Sequence, residues 1–139
     1  MTLGMIKPDA TGAGKAGKII AHIEEAGFRV AAMKMTRLNL AQAGEFYAEH
    51  KGKPFYDDLV AFITSGPVVV LALERTDAVK KFRETIGATD PAQADAGTVR
   101  KLFAESKSRN AVHGSDSPAS AERELKFFFS TAEILQSRL

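Results

Sequence analysis

The stretch SRNAVHGSDSP, residues 108–118, gathers side chains able to do chemistry. His113 follows two apolar residues and is then enclosed by glycine, serine and aspartate. An imidazole so placed becomes a nucleophile when a carboxylate accepts from one ring N–H, because this fixes the tautomer and leaves the other nitrogen its lone pair. Ser115 and Asp116, with Glu124 on the helix that follows, supply the hydroxyl and the carboxylates. The other histidines, His22 and His50, sit at the edge of a helical stripe and near a helix end, without such neighbours. No pair has the spacing of a zinc site. On spacing alone, a packed histidine and a catalytic one fit His113 equally well.

Two further segments carry positive charge near backbone turns. In IKPDA (6–10), Lys7 ends a strand and Pro8 fixes the backbone behind it, although a Lys-Pro pair is also an ordinary strand terminator. In GAGKAGKI (12–19), Gly12, Gly17 and Lys18 have the G-x-x-x-x-G-K spacing of a phosphate loop. The next residue, Ile19, lacks the hydroxyl that would hold Mg²⁺, so a flexible entry to a helix is the better reading.

The elements that must position these groups follow from periodicity. Leu3–Ile6 is a strand stopped by Pro8. Ala16, Ile19, Ile20, Ile23 and Ala26 follow helical spacing, with Gly27 as the stop. Residues 28–38 form a strand of imperfect alternation, and 41–49 a helix, after which Gly52 and Pro54 break the pattern. The continuous β-branched run PVVVLALE (67–74) marks a central strand buried on both faces. Thr76 is expected to cap a helix carrying Val79, Phe82 and Ile86 and closed by Gly87. Residues 88–97 are a loop, a short helix starts at Thr98, and the His113 strand precedes a helix with Ser117 as N-cap and Pro118 at its first position. Strands and helices alternating in this way predict a sheet covered by helices, an α/β or α+β sandwich.

Composition narrows the classes. A chain of 139 residues suits one domain, here 1–139, and 45% hydrophobic with 26% charged residues excludes disorder. The absence of cysteine excludes disulfides and thiolate metal sites. The longest apolar run, 68–73, falls far short of the about 20 residues needed to span a bilayer. The N-terminus does not have the pattern of a signal peptide, and a soluble cytoplasmic protein without membrane partners is expected. A net charge of +2, with no basic stripe interleaved with aromatics, does not suit nucleic acid.

Taken together, HGSDS with SAERE after it and RN before it, KPD near the start, HKGKPF, SGPVV and GATDPA followed by GT-R resemble a nucleoside diphosphate kinase. The match runs in order from Leu3 to about Phe129. The resemblance implies a ferredoxin-like α/β sandwich with a four-stranded antiparallel sheet and helices on its faces. It implies transfer of the terminal phosphate of a nucleoside triphosphate, usually ATP, to a nucleoside diphosphate by a ping-pong route through a phosphohistidine on His113. Glu124 then holds the imidazole by its other nitrogen, Lys7 meets the transferring group, and Tyr47 and Ser115 border it. Phe55, with Leu59 nearby, stacks on the base, which implies broad base specificity. Arg83, Thr89 and Arg100 bind the distal phosphates, Asn110 reaches the sugar hydroxyl, and Asp116 lies near Mg²⁺ carried in by the nucleotide.

The chain departs from the family pattern in KLFAESKS (101–108), which lacks a glycine-aspartate start and a glycine before RN, and in Ala96, where many members have proline. A homo-oligomer, a hexamer or a tetramer built from dimers, is implied as well. The long 88–97 loop could pack against a neighbour, and the tail from Ser130 carries Ile134, Leu135 and Leu139, apolar groups that need covering. The rival from another class is a non-enzymatic phosphohistidine carrier or nucleotide-binding regulator.

Overall fold

The run Val68–Glu74 is buried at every residue, because both of its faces are covered. It is strand β3 of a computed structural model that describes residues 1–135. The other strands are β1 (Thr2–Ile6), β2 (Arg29–Thr36) and β4 (Val112–Gly114). The helices are α1 (Pro8–Gly12), α2 (Ala16–Glu25), α3 (Leu40–Phe46), α4 (Tyr56–Ile63), α5 (Ala78–Ile86), α6 (Val99–Phe103) and α7 (Pro118–Phe128). The sheet has the order β2-β3-β1-β4 and every neighbouring pair is antiparallel, giving the expected ferredoxin-like sandwich. No helix among the described residues is long and apolar enough to cross a membrane.

Alternation along the strands sorts the core into two layers. Leu3, Met5, Val68, Val70 and Ala72 pack with Phe46, Tyr47, Ile63, Leu125 and Phe128 from α3, α4 and α7 and the residues beside them. Ile6, Val69, Leu71, Leu73 and Val112 pack on the opposite face with Ile19, Ile23, Phe82, Ile86 and Val99 from α2, α5 and α6. Each fully buried Leu, Ile or Phe contributes about 1.5–3 kcal/mol relative to exposure. Because Val112 points into the second layer, His113 points into the first, beside Phe46 and α7.

Several local expectations change. Pro8 does not merely end β1; it opens α1, with Lys7 at the N-cap, since a proline at the first helical turn gives up no hydrogen bond. Thr76 is not the cap of α5; Asp77 takes that place at φ 56°, a left-handed conformation that aspartate tolerates better than most residues. The expected 41–49 helix divides into α3 and a 3₁₀ turn at Ala48–His50. Helix α4 was not expected, although Tyr56, Leu59, Val60 and Ile63 have helical spacing. A register shift between Val30 and Ala32 explains the imperfect alternation of β2. Helix α1, which ends on Gly12, lies between β1 and Gly14 and Gly17, so no strand runs directly into a phosphate loop.

Ile134 packs on the first layer, while the exposed Leu135 donates its N–H to Ala31 O at 3.0 Å. Leu139 lies outside the described residues. The atypical 101–108 segment closes on itself, with Glu105 N and Ser106 N donating to Arg109 O and Arg109 N donating to Ser106 Oγ.

Gly114 lets α5 approach the back of the His113 strand. A Cβ there would lie 2.9 Å from Phe82 Cδ2 and 3.1 Å from Ile86 Cδ1. Gly114→Ala is therefore expected to cost about 1–3 kcal/mol by overpacking. Urea unfolding checks this, and an unchanged midpoint would mean that α5 yields without strain.

Candidate functional site

His113 lies on a three-residue edge strand, paired with Met5 of β1, so little of its own strand holds it in place. The next helix supplies the restraint. Ser117 caps α7 by accepting from Ser120 N at 3.1 Å, and Pro118 sets the first turn. This start places Glu124 two turns on, facing the sheet and buried.

His113 Nε2 lies 2.9 Å from Glu124 Oε1, and Ser115 Oγ donates to the same oxygen at 2.7 Å. Ser115 is itself held, since its Oγ accepts from Leu3 N at 3.4 Å. Burial alone would push the Glu124 carboxyl up. The hydrogen bonds from His113 and Ser115 and the charge of Arg123 outweigh it and hold the group below its ordinary value. An ionised carboxylate only accepts, so Nε2 must carry the hydrogen. The lone pair of the neutral ring is then on Nδ1, which no group among the described residues hydrogen-bonds. Phe46 sets its ring edge-on to the imidazole at 5.4 Å and fixes the plane.

A cleft of about 200 Å³ opens in front of this ring, lined among others by Tyr47, Arg83, Thr89, Arg100, Asp116 and Arg123. Tyr47 Oη is buried without a partner among the described residues, and burial followed by the Glu124 charge raises its pKa well above the ordinary tyrosine range. Arg100 is anchored by two carbonyls, Nη1 to Gly87 O at 3.0 Å and Nη2 to Val112 O at 2.8 Å. Its Nε is buried without a partner, and burial followed by the Arg83 charge lowers its pKa to about 10. Arg83 is more exposed and donates from Nη1 to Gly114 O at 3.3 Å. Asp116 is held below its ordinary value first by the Ser120 hydroxyl and also by Arg83. It joins the cleft to an open groove along α5 lined by Asp77, Lys80 and Glu84.

A strained turn leads into β4. Val112 N donates to Asn110 O at 2.8 Å around Ala111, whose φ is +71°. This γ-turn of positive φ costs a residue with a Cβ on the order of 1–3 kcal/mol. Asn110 accepts from Lys7 Nζ at 2.9 Å and donates to Thr89 O at 3.4 Å, which ties the end of β1 to the 88–97 loop. Burial, then the charge of Arg100, lowers the Lys7 ammonium to about 8, with Asp9 acting the other way.

Ten of the twelve expected residues thus fall in one connected site: His113, Glu124, Ser115, Tyr47, Lys7, Arg83, Thr89, Arg100, Asn110 and Asp116. Phe55 and Leu59 lie apart, on the segment that leads into α4 and on α4 itself. Phe55 is 49% exposed with its ring 5.6 Å from that of His50, and Leu59 is partly committed to the core. His50, set aside on sequence, lines the cleft. Arg123 and Phe46 were missed too. Arg123 Nη2 donates to Phe46 O at 3.1 Å and approaches Glu124 Oε2 at 3.9 Å and Glu49 Oε1 at 3.5 Å. Phe46 precedes Tyr47 and was indistinguishable from core; Arg123 precedes Glu124, the only hint the sequence carried.

Among the described residues, no group of three or more His, Asp or Glu could hold a metal by itself. Arg83 and Arg100 line the cleft with His113, and Lys7 is tied to Asn110 beside it, so the arrangement has the cations beside an imidazole lone pair that phosphoryl transfer requires.

A family model described as nucleoside diphosphate kinase matches residues 1–134. A nucleoside diphosphate kinase of Paracoccus denitrificans is 58% identical over 96% of this chain and 96% of its own length. That of Sorangium cellulosum is 54% identical over 98% and 94%. Among solved structures, the Aquifex aeolicus nucleoside diphosphate kinase superposes with a TM-score of 0.94 at 45% identity, covering 96% of this chain and 97% of that one. A halophilic nucleoside diphosphate kinase from Halobacterium salinarum, solved in complex with CDP, also gives 0.94, at 38% identity and 99% and 92% coverage.

The Lys7 shift predicts a pH dependence of stability. The folded form releases this proton near 8 and the unfolded chain near 10.5. Between these values the unfolded state binds more protons, so the Lys7 contribution makes stability rise with pH across that window. Urea unfolding from pH 7.5 to 10 should show a larger increase for the natural protein than for Lys7→Met. Parallel slopes would mean that Lys7 is not depressed.

Proposed function

Because the chain belongs to the nucleoside diphosphate kinase family, we propose that its phosphotransfer runs through Nδ1 of His113. The protein is a phosphotransferase. It moves the terminal phosphate of a nucleoside triphosphate to a nucleoside diphosphate through an active-site histidine. In the first half-reaction the Nδ1 lone pair bonds to the terminal phosphorus. The bond to the bridging oxygen breaks and the diphosphate leaves with that electron pair. A second diphosphate then takes the phosphoryl group back from nitrogen. The observation that carries the assignment is the Glu124–His113 bond at 2.9 Å, which leaves Nδ1 free beside the cation-lined cleft.

The remaining roles follow from what each side chain has to offer. The imidazole gains positive charge as the N–P bond forms, and the Glu124 carboxylate on the opposite nitrogen stabilises that charge most in the transition state. Lys7, Arg83 and Arg100 balance the phosphate oxygens, and the unpartnered Tyr47 hydroxyl and Arg100 Nε are donors ready for them. Asn110 suits a sugar hydroxyl. Exposed Phe55, with Leu59 behind it, offers a face for stacking, which every base can use, so adenine, guanine, cytosine and uracil nucleotides should all serve. The CDP in the Halobacterium salinarum relative supports a nucleoside diphosphate as the acceptor. The family implies Mg²⁺, which when bound would neutralise phosphate charge. The exposed carboxylate of Asp116 is one oxygen donor, fitting an ion that arrives with the nucleotide rather than a resident one. A phosphohistidine carrier would use His113 without needing Arg83, Thr89 and Arg100 around it.

A homo-oligomer, hexamer or tetramer built from dimers, belongs to the same reading. Met33 and Met35 are 55% and 62% exposed on the edge strand β2, where a second copy would cover them. Light scattering at assay concentration checks this; a fully active monomer would contradict it.

Incubation with labelled ATP and Mg²⁺ should place acid-labile label on the protein, and an added nucleoside diphosphate should remove it. His113→Ala should abolish both, and label on His22 or His50 would contradict the assignment. Glu124→Gln should lower kcat by up to about 10⁴-fold, the scale of a histidine forced into the wrong tautomer, with KM little changed. A change confined to KM would make Glu124 a binding contact instead.

A further inference from the structure

The corner after β1 grips the turn before β4 at three points. Lys7 N donates to Ala111 O at 2.9 Å, Lys7 Nζ donates to Asn110 Oδ1 at 2.9 Å, and Ala111 N donates to Asp9 Oδ2 at 2.9 Å. The third contact spans 102 residues and ends on the one residue of the turn whose backbone is strained, Ala111 at φ +71°. A residue with a Cβ leaves that conformation unless its surroundings hold it there. Ala111 is fully buried, so its N–H has no water to turn to, and Asp9 is its acceptor. Relaxation of the turn would carry Asn110 away from Lys7 and shift Val112, whose neighbour in the strand is His113.

The choice of a carboxylate is informative. Asp9 Oδ1 is buried without a partner among the described residues, a cost that a side chain kept only for packing would avoid. Lys7, buried two residues before it, has Arg100 as a second cation nearby, and the negative charge of Asp9 supports the ammonium there. Hydrogen bond and charge therefore act on the same group of residues.

We propose that Asp9 is a positioning residue of the transfer site: its carboxylate holds the Asn110–Ala111–Val112 turn in its strained form and thereby sets Lys7, Asn110 and His113 relative to one another. The inference rests on His113 as the transfer residue. Asp9 touches no substrate in this account and works through Ala111.

Steady-state transfer from ATP to a nucleoside diphosphate, measured on the full chain well below each variant's melting temperature, tests it. Asp9→Ala should lose about tenfold or more in kcat, the order expected for a sub-ångström to ångström misplacement, with a smaller change in KM. Asp9→Asn keeps an acceptor for Ala111 N and should recover most of that loss. Ala111→Gly in the Asp9→Ala background removes the strain and should recover much of it as well, which no general loss of packing would allow. Wild-type kcat in Asp9→Ala would overturn the proposal, as would a loss that neither asparagine nor the glycine recovers. Amide hydrogen exchange at Ala111 gives a readout independent of catalysis. Protection should fall in Asp9→Ala and persist in Asp9→Asn, and equal protection in all three proteins would also overturn the proposal. Failure of the natural protein to transfer phosphate would count against the kinase reading alone, since the exchange measurement still decides the clamp.

Discussion

The hydrogen bond between His113 Nε2 and Glu124 Oε1 is the constraint on which the rest of the site depends. A neutral imidazole has two tautomers, and only the one with hydrogen on Nε2 presents its lone pair from Nδ1. Everything that fixes Glu124 therefore fixes which ring nitrogen keeps its lone pair free. The Ser117–Pro118 start sets the phase of α7, the first core layer anchors the helix through Leu125 and Phe128, and Ser115 occupies the same carboxylate oxygen from the strand side. The back of the strand matters equally. Gly114 admits Phe82 so closely that α5 braces a β4 only three residues long.

The cations around that nucleophile come at an electrostatic cost. Lys7 and Arg100 are both buried, both depressed, and each lies among other positive groups. Arg100 is kept in place by the carbonyls of Gly87 and Val112, so its orientation does not depend on a ligand. A polyanion entering the cleft would relieve the repulsion and find its donors already oriented, which makes binding and charge stabilisation one property of the site. The turn at Ala111 adds strain to the same region, held by contacts from the β1 corner.

Much of this was legible in the sequence because it is local. The β-branched run gave away β3 and Ser117–Pro118 gave away the start of α7, while the glycine-serine-aspartate after His113 raised a catalytic reading that only the family resemblance separated from a packed histidine. What escaped depends on contacts distant along the chain. Asp9 drew no reading beside the Lys7–Pro8 pair, since nothing nearby shows that its acceptor role is at Ala111, 102 residues on. Phe46 looked like core and is core, yet it also presents an edge to His113. Helix α4 has clear apolar spacing but follows Gly52 and Pro54, whose breaking tendency hid it. The grouping of the proposed phosphate-binding residues came from family resemblance, since a single arginine on a helix such as Arg83 carries no mark that separates it from a solvated charge.

The central claim is that Glu124 dictates attack through Nδ1. Histidine labelled with ¹⁵N in both ring positions, followed by phosphorylation from ATP and observation of ¹⁵N–³¹P coupling in the intact protein, tests it directly. The account predicts that the one-bond coupling falls on Nδ1 of His113, with Nε2 still protonated and facing Glu124. Coupling on Nε2 would contradict it, because the carboxylate would then have given up the position that orients the ring.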